Sequence, residues 1–194
     1  MSKIDNIQEL FALRCKGQGG AAHRDIIEHL ERLRDLGSEC DDIVEFGVRT
    51  GNSTVAFLAS DAKRVYSYDI KEPHFAPTPD VKDKWAFCQA DTSKLEEIPF
   101  CDLLFIDTYH TFDIVCAELR HAPRVGKYIV FHDTELFGEV GEDGRRPGIN
   151  EAIDQTLPIG EWDRTEHYPN NNGLTVYTRI APPSRNVEQY EVDE

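Results

Sequence analysis

Five acidic residues, Glu45, Asp69, Asp91, Asp107 and Asp133, each stand at or just past the end of a short apolar run. Those runs have strand length, and in an open α/β sheet the carboxyl ends of the strands form the ligand-binding edge. Five like charges on one edge raise each other's pKa and cost energy. Some of them must therefore face hydroxyls, amines or a metal ion. Taken singly, each acid also reads as a loop solubiliser or a helix cap. Two histidines accompany them. His110 follows Asp107 by three residues, and His132 directly precedes Asp133. Imidazole titrates near neutrality and can carry a proton.

The stretch Glu45-Phe46-Gly47-Val48-Arg49-Thr50-Gly51-Asn52-Ser53-Thr54 has the residue types of a strand–turn–helix. Gly47 and Gly51 let the backbone turn tightly and come close to a ligand. Ser53 or Asn52 can cap the helix that follows. Arg49 and Asn52 occupy positions where a dinucleotide fingerprint needs glycine, which counts against NAD.

The elements that must position these residues follow from periodicity. Residues 43–46, 64–68, 85–89, 102–106 and 127–131 are predicted strands, and helices are predicted over 53–59 and 112–121. This alternation implies a parallel sheet with helices on both faces. Residues 161–168 and 174–180 flank Asn170-Asn171-Asn172-Gly173, a hairpin signal that makes the last strand antiparallel. Upstream, 4–13 and 22–36 read as helices, separated by Gly17-Gln18-Gly19-Gly20, with Gly37 as a C-cap. The loop 134–148, with four glycines and Arg145-Arg146, lies where a substrate lid is common. The expected organisation is a helical extension over 1–37, a domain over 38–181 and an acidic tail over 182–194.

Composition narrows the partners. With 21 Lys+Arg against 36 Asp+Glu, the formal net charge is −15, a field that repels nucleic-acid backbones and anionic membranes. No apolar run approaches a membrane span. The first residues, Met1-Ser2-Lys3-Ile4-Asp5, have no apolar signal core, and the five cysteines form no C-x-x-C pair. Together these predict a cytoplasmic chain with reduced thiols, and leave a homo-oligomer open.

Val-Glu45-Phe-Gly47-Val-Arg-Thr50-Gly51-Asn-Ser53-Thr resembles the first motif of class I S-adenosylmethionine (SAM)-dependent methyltransferases, and more narrowly the E-x-G-x-x-T-G-x-S of the metal-dependent O-methyltransferases. Further motifs follow in register: Tyr-Ser-Tyr-Asp69, Gln-Ala-Asp91-Thr-Ser, Phe-Ile-Asp107-Thr-Tyr-His110 and Val-Phe-His132-Asp133-Thr. The last two resemble the branch of macrolide-sugar O-methyltransferases and cephalosporin-hydroxylase-like proteins, methyltransferase family 24. The resemblance spans roughly residues 40–180.

That resemblance implies a Rossmann-like α/β fold with a seven-stranded, mostly parallel sheet. It implies SAM as cofactor, bound through Glu45, Gly47, Thr50, Gly51, Ser53, Asp69, Asp91 and Asp107. It implies a divalent metal at Asp107, His132 and Asp133, with Asp107 and His110 catalytic and His110 the base. The expected reaction is methyl transfer to a small-molecule hydroxylated acceptor of sugar or phenol type. Carboxylate oxygens suit Mg²⁺, a hard cation that lowers the pKa of a bound hydroxyl. The branch usually has two acids where this chain has His132-Asp133, and imidazole suits Zn, Fe or Ni better. Two other classes remain open at this level. One is a hydroxylase-like enzyme holding Fe(II) at Asp107, His132 and Asp133. The other is a non-catalytic SAM- or nucleotide-binding module.

Overall fold

The computed structural model describes residues 4–22, 24–158 and 160–182. Met1-Ser2-Lys3, His23 and residues 183–194 of the acidic tail lie outside them.

Seven strands form one sheet: β1 (Asp42–Phe46), β2 (Arg64–Asp69), β3 (Trp85–Gln89), β4 (Cys101–Ile106), β5 (Val125–His132), β6 (Trp162–Tyr168) and β7 (Leu174–Arg179). Their order is β3-β2-β1-β4-β5-β7-β6. β1 to β5 are mutually parallel, and β7 returns antiparallel between β5 and β6. The parallel sheet expected from the alternation is present, in the Rossmann-like, seven-stranded form that the resemblance implies. The chain leaves β1 toward β2 and re-enters at β4 on the other side. The crevice at that reversal, outside the carboxyl ends of β1 and β4, is where such sheets bind ligands.

Among the described residues five α-helices cover the sheet: α1 (Ile7–Arg14), α2 (Leu30–Ser38), α3 (Asn52–Leu58), α4 (Phe112–Glu118) and α5 (Ile149–Thr156). Both sheet faces are covered, so the central strands are apolar without alternation. On one face Leu30, Leu33, Leu36 and Phe57 pack on Ile43, Leu103 and Phe105. On the other, Val115, Ile149 and Ile153 pack on Phe46, Leu104 and Phe131. The N-terminal helices share the first of these cores with the sheet. Asn6 caps α1, its side chain accepting from the Gln8 and Glu9 N–H groups. Among the described residues no helix is long and apolar enough to cross a membrane.

Three local expectations are corrected. The helix over 22–36 is split into a 3₁₀ turn, Arg24–His29, and α2. The turn is pinned by the β6–β7 hairpin: Asn171 Oδ1 accepts from Glu28 N–H, and the His29 ring meets the Asn170 carbonyl at 3.0 Å. Gly37 is a packing glycine inside α2 and not a cap; a Cβ there would come 2.9 Å from Ser60 Oγ on the loop after α3. The helix over 112–121 stops as α-helix at Glu118 and continues as a 3₁₀ turn holding Pro123. The short helix α5 was not expected, because its three buried residues, Ile149, Ala152 and Ile153, show barely two turns of period.

Candidate active site

The β1–α3 turn is held from below. Gly47 has φ +91°, and a Cβ there would collide with the Asp107 carbonyl oxygen. The two strand ends thus touch through a glycine, and Asp107 N–H also donates to Phe46 O at 2.9 Å. The Asp69 carboxylate closes the turn, accepting from Val48 N–H (2.8 Å) and Arg49 N–H (3.0 Å) through one oxygen and from Lys71 N–H (2.9 Å) through the other. Gly51, also left-handed, packs under the Phe75 ring. Thr50 Oγ1 donates to the Ala22 carbonyl.

Glu45 departs from its expected cofactor contact. It is fully buried beneath the turn, accepting from Ser53 Oγ (2.6 Å), Thr54 Oγ1 (2.8 Å) and Ser67 Oγ (2.5 Å). It fastens α3 and β2 to β1, and its oxygens are spent on that. Burial pushes its carboxyl up to about 7, against the opposing pull of the three hydroxyls.

An open cleft of about 180 Å³ lies over the ends of β1, β2 and β4, lined by Gly47, Arg49, Asp69, Asp91, Asp107 and Tyr109 among others. A smaller recess adjoins it, lined by Asp25, Val48, Thr50, Asn52 and Ser53, and shares Arg49 and Asp107 with the cleft. Asp91 also caps the 3₁₀ turn that follows, accepting from Ser93, and pairs with Lys94 at 2.7 Å. Those partners hold its carboxyl below the usual range. Glu118, which the sequence reading passed over, is wholly buried under the cleft and accepts from Thr92 Oγ1 and Thr108 Oγ1. Burial pushes it up to about 7.

At the end of the cleft, Asp107, His110 and Asp133 converge, with one ligand atom from each within 4.8 Å of the others. His110 Nε2 lies 3.3 Å from Asp107 Oδ1 and 3.2 Å from Asp133 Oδ2. His132 Nδ1 faces the same carboxylates at 3.3 and 3.4 Å. Its Nε2 donates to the carbonyls of Asp25 (3.1 Å) and Asn171 (3.0 Å). His132, expected as a ligand, is thus committed on one nitrogen and stands behind the carboxylates, while His110 joins them in the cluster. Asp133 has φ +61°, a left-handed conformation rare for a residue with a side chain.

The electrostatics follow from this packing. Burial opposes charge on Asp107, but the imidazoles of His132 and His110 outweigh it and hold the carboxyl well below its usual range. Burial pulls His132 down, yet Asp107 and Asp133 carry it up to about 11. His110 is raised in the same way, with Glu142 helping. His110 Nε2 and Asp133 Oδ1 are buried with no hydrogen-bond partner among the described residues. Buried polar atoms are rarely left so: the carboxylate oxygens fit a divalent cation, and the imidazole nitrogen fits a group that gains or gives up a proton.

The 134–148 loop folds over this cluster. The Phe137 ring stacks on His110, with centroids 5.3 Å apart and planes 15° from parallel. Glu142 Oε2 lies 3.2 Å from His110 Nδ1 and accepts from the His110 N–H. Glu142 escaped the sequence reading; an isolated acid between glycines in a long loop was the one available signal.

Residues 44–134, just under half of the chain, match the family described as a methyltransferase domain. No curated protein matches the chain. Among solved structures, it is similar to a Klebsiella pneumoniae protein provisionally assigned as an O-methyltransferase, with 19% identity, 93% of each chain covered and a TM-score of 0.62. It is similar to the O-methyltransferase of Bacillus cereus in complex with S-adenosylhomocysteine (SAH), with 15% identity, 92% of each chain covered and a TM-score of 0.60. It is also similar to the N-methyltransferase NodS of Bradyrhizobium japonicum with SAH, with 12% identity, 92% of this chain and 100% of that chain covered, and a TM-score of 0.57. The residues around the cleft, 44–134, are thus similar to a methyltransferase domain, and the seven-stranded fold that carries them is the one shared with these solved structures.

Proposed function

We propose that this protein is a methyltransferase that transfers the methyl group of SAM to a hydroxyl of a small acceptor, of sugar or phenol type, with the help of a divalent cation. The observation that carries this reading is the convergence of Asp107, His110 and Asp133 at the end of the cleft. Two relatives of the same fold carry SAH, one acting on oxygen and one on nitrogen, so the fold alone leaves the acceptor atom open. The carboxylate pair supports oxygen, because a neutral hydroxyl needs activation.

When bound, SAM supplies an electrophilic methyl group, and a hard divalent cation supplies a lowered hydroxyl pKa. Asp107 and Asp133 would hold the cation through carboxylate oxygens. His110 Nε2, unpartnered and beside both carboxylates, would take the hydroxyl proton. Glu142 would keep Nδ1 as the protonated nitrogen. Phe137 covers the imidazole face and keeps water from it. Gly47, Thr50, Gly51, Ser53, Asp69 and Asp91 would shape the cofactor cleft, with Glu45 supporting them from beneath.

The reading is tested by titrating the metal-free protein with SAM, with and without Mg²⁺, and then assaying methyl transfer from labelled SAM to a panel of sugars and phenols. Wild type binds SAM and methylates at least one acceptor. Asp107→Ala loses Mg²⁺ binding and turnover. His110→Ala keeps both ligands and loses turnover. Absence of SAM binding under every metal condition would overturn the reading.

A further inference from the structure

Arg49 has φ +49°, a conformation that L side chains rarely adopt. Its backbone is pinned on both sides. The Arg49 N–H donates to Asp69 Oδ2, and the Arg49 carbonyl accepts from His74 N–H at 2.9 Å. Strain of this kind persists where surrounding structure enforces it, and it clusters at ligand sites. Glycine would adopt this turn without strain, yet the chain carries an arginine.

Arg49 is also the one Lys or Arg among the residues lining the cleft and its recess, where Asp25, Asp69, Asp91 and Asp107 are the acids. Among the described residues no acceptor lies within hydrogen-bond distance of its guanidinium; the nearest carboxylate oxygen is Asp25 Oδ2 at 3.6 Å. The guanidinium offers five N–H donors in a planar fork that matches a carboxylate. Asp25 is itself held in place, because its carbonyl accepts from His132 Nε2. A cation and an anion, side by side at the junction of two recesses, are complementary to the ammonium and carboxylate of an α-amino acid.

SAM ends in that group, and its carboxylate is its one anionic centre. Resting on the reading of SAM as cofactor, we propose that Arg49 binds the α-carboxylate of SAM and Asp25 its α-ammonium. The strained arginine is then a specificity residue: it selects SAM over adenosine derivatives that lack the amino-acid carboxylate.

The experiment is calorimetric titration of wild type, Arg49→Gly and Asp25→Asn with three probes: SAM, decarboxylated SAM and 5′-methylthioadenosine. Arg49→Gly removes the guanidinium and relieves the strained φ, so it folds at least as well as wild type. Arg49→Gly weakens SAM binding roughly 10- to 100-fold, the range of charge-assisted hydrogen bonds, and changes decarboxylated SAM less than about twofold. Asp25→Asn weakens both probes that carry the ammonium and leaves 5′-methylthioadenosine unchanged. Equal losses by Arg49→Gly on SAM and decarboxylated SAM, or no loss on SAM, would overturn the assignment and leave the cofactor reading intact. Failure of wild type to bind SAM at all would remove both.

Discussion

Glu142 and His110 are tied three times: Glu142 Oε2 meets His110 Nδ1 at 3.2 Å and accepts from His110 N–H, while Glu142 N–H donates to the His110 carbonyl at 2.8 Å. A loop residue thereby offers Nδ1 of the cluster histidine an acceptor and favours a proton on that nitrogen. Partners of this kind change activity 10- to 100-fold when removed, as an order of magnitude. Glu142→Ala should lower methyl transfer about that much with SAM affinity unchanged. Glu142→Gln, whose amide oxygen still accepts from Nδ1, should recover most of it. Initial rates on the first acceptor identified, beside SAM titrations, check this.

His132 stands as the built-in countercharge of Asp107 and Asp133. Those carboxylates hold its pKa at about 11, above its ordinary value of 6.5, so the pairing contributes fully below 6.5 and is lost as pH rises toward 11. His132→Gln should cost about 3 kcal/mol, the lower end for breaking a buried ionic pair, or roughly 6–12 °C in Tm for a domain of this size. Added Mg²⁺ or Mn²⁺ should restore part of the loss by neutralising the same carboxylates. Thermal unfolding with chelator and with metal measures both effects; a Tm indifferent to the substitution would deny His132 this role.

Glu45 and Glu118 make the protein less stable as pH rises through the weakly acidic range. Burial lifts each carboxyl from 4.5 to about 7. Between those values the folded state keeps protons that the unfolded chain has released, so stability falls with rising pH and then levels off above 7. Each group contributes at most about 3 kcal/mol to that fall. Glu118→Gln should flatten the profile between pH 5 and 7. Denaturant unfolding at several pH values, wild type against variant, gives the difference directly.

Gly47→Ala tests the contact between the two strand ends. A methyl there meets the Asp107 carbonyl oxygen, and φ +91° adds strain. The expected cost is about 1–3 kcal/mol in stability. Asp107 should shift as well, so metal affinity should fall alongside SAM affinity. Calorimetry with Mg²⁺ and SAM, on protein shown to be folded by circular dichroism, reads the two losses together.

Much of this molecule was legible along the chain. Short apolar runs alternating with helical stretches dictated a covered parallel sheet, because strands buried on both faces must be apolar throughout. Strand ends located Asp69, Asp91, Asp107 and Asp133, since each run stops where the chain turns polar. The Asn170–Gly173 hairpin was readable because Asn171 and Asn172 tolerate the left-handed backbone the turn needs. Those are local properties, set by steric preference and side-chain period.

Tertiary structure alone decided which polar groups meet. Glu45 looked like a cofactor contact by position, but three hydroxyls from α3 and β2 reach it first. His132 looked like a ligand, but carbonyls from the N-terminal turn and the hairpin claim its Nε2. Glu142 looked like loop surface, but the chain folds it back onto His110. Arg49 and Asp25 lie 24 positions apart and become neighbours only once the N-terminal turn docks beside the cleft. Contacts of this kind depend on distances across the fold, and hydrogen-bond chemistry says only that some partner must exist. Packing chooses which one.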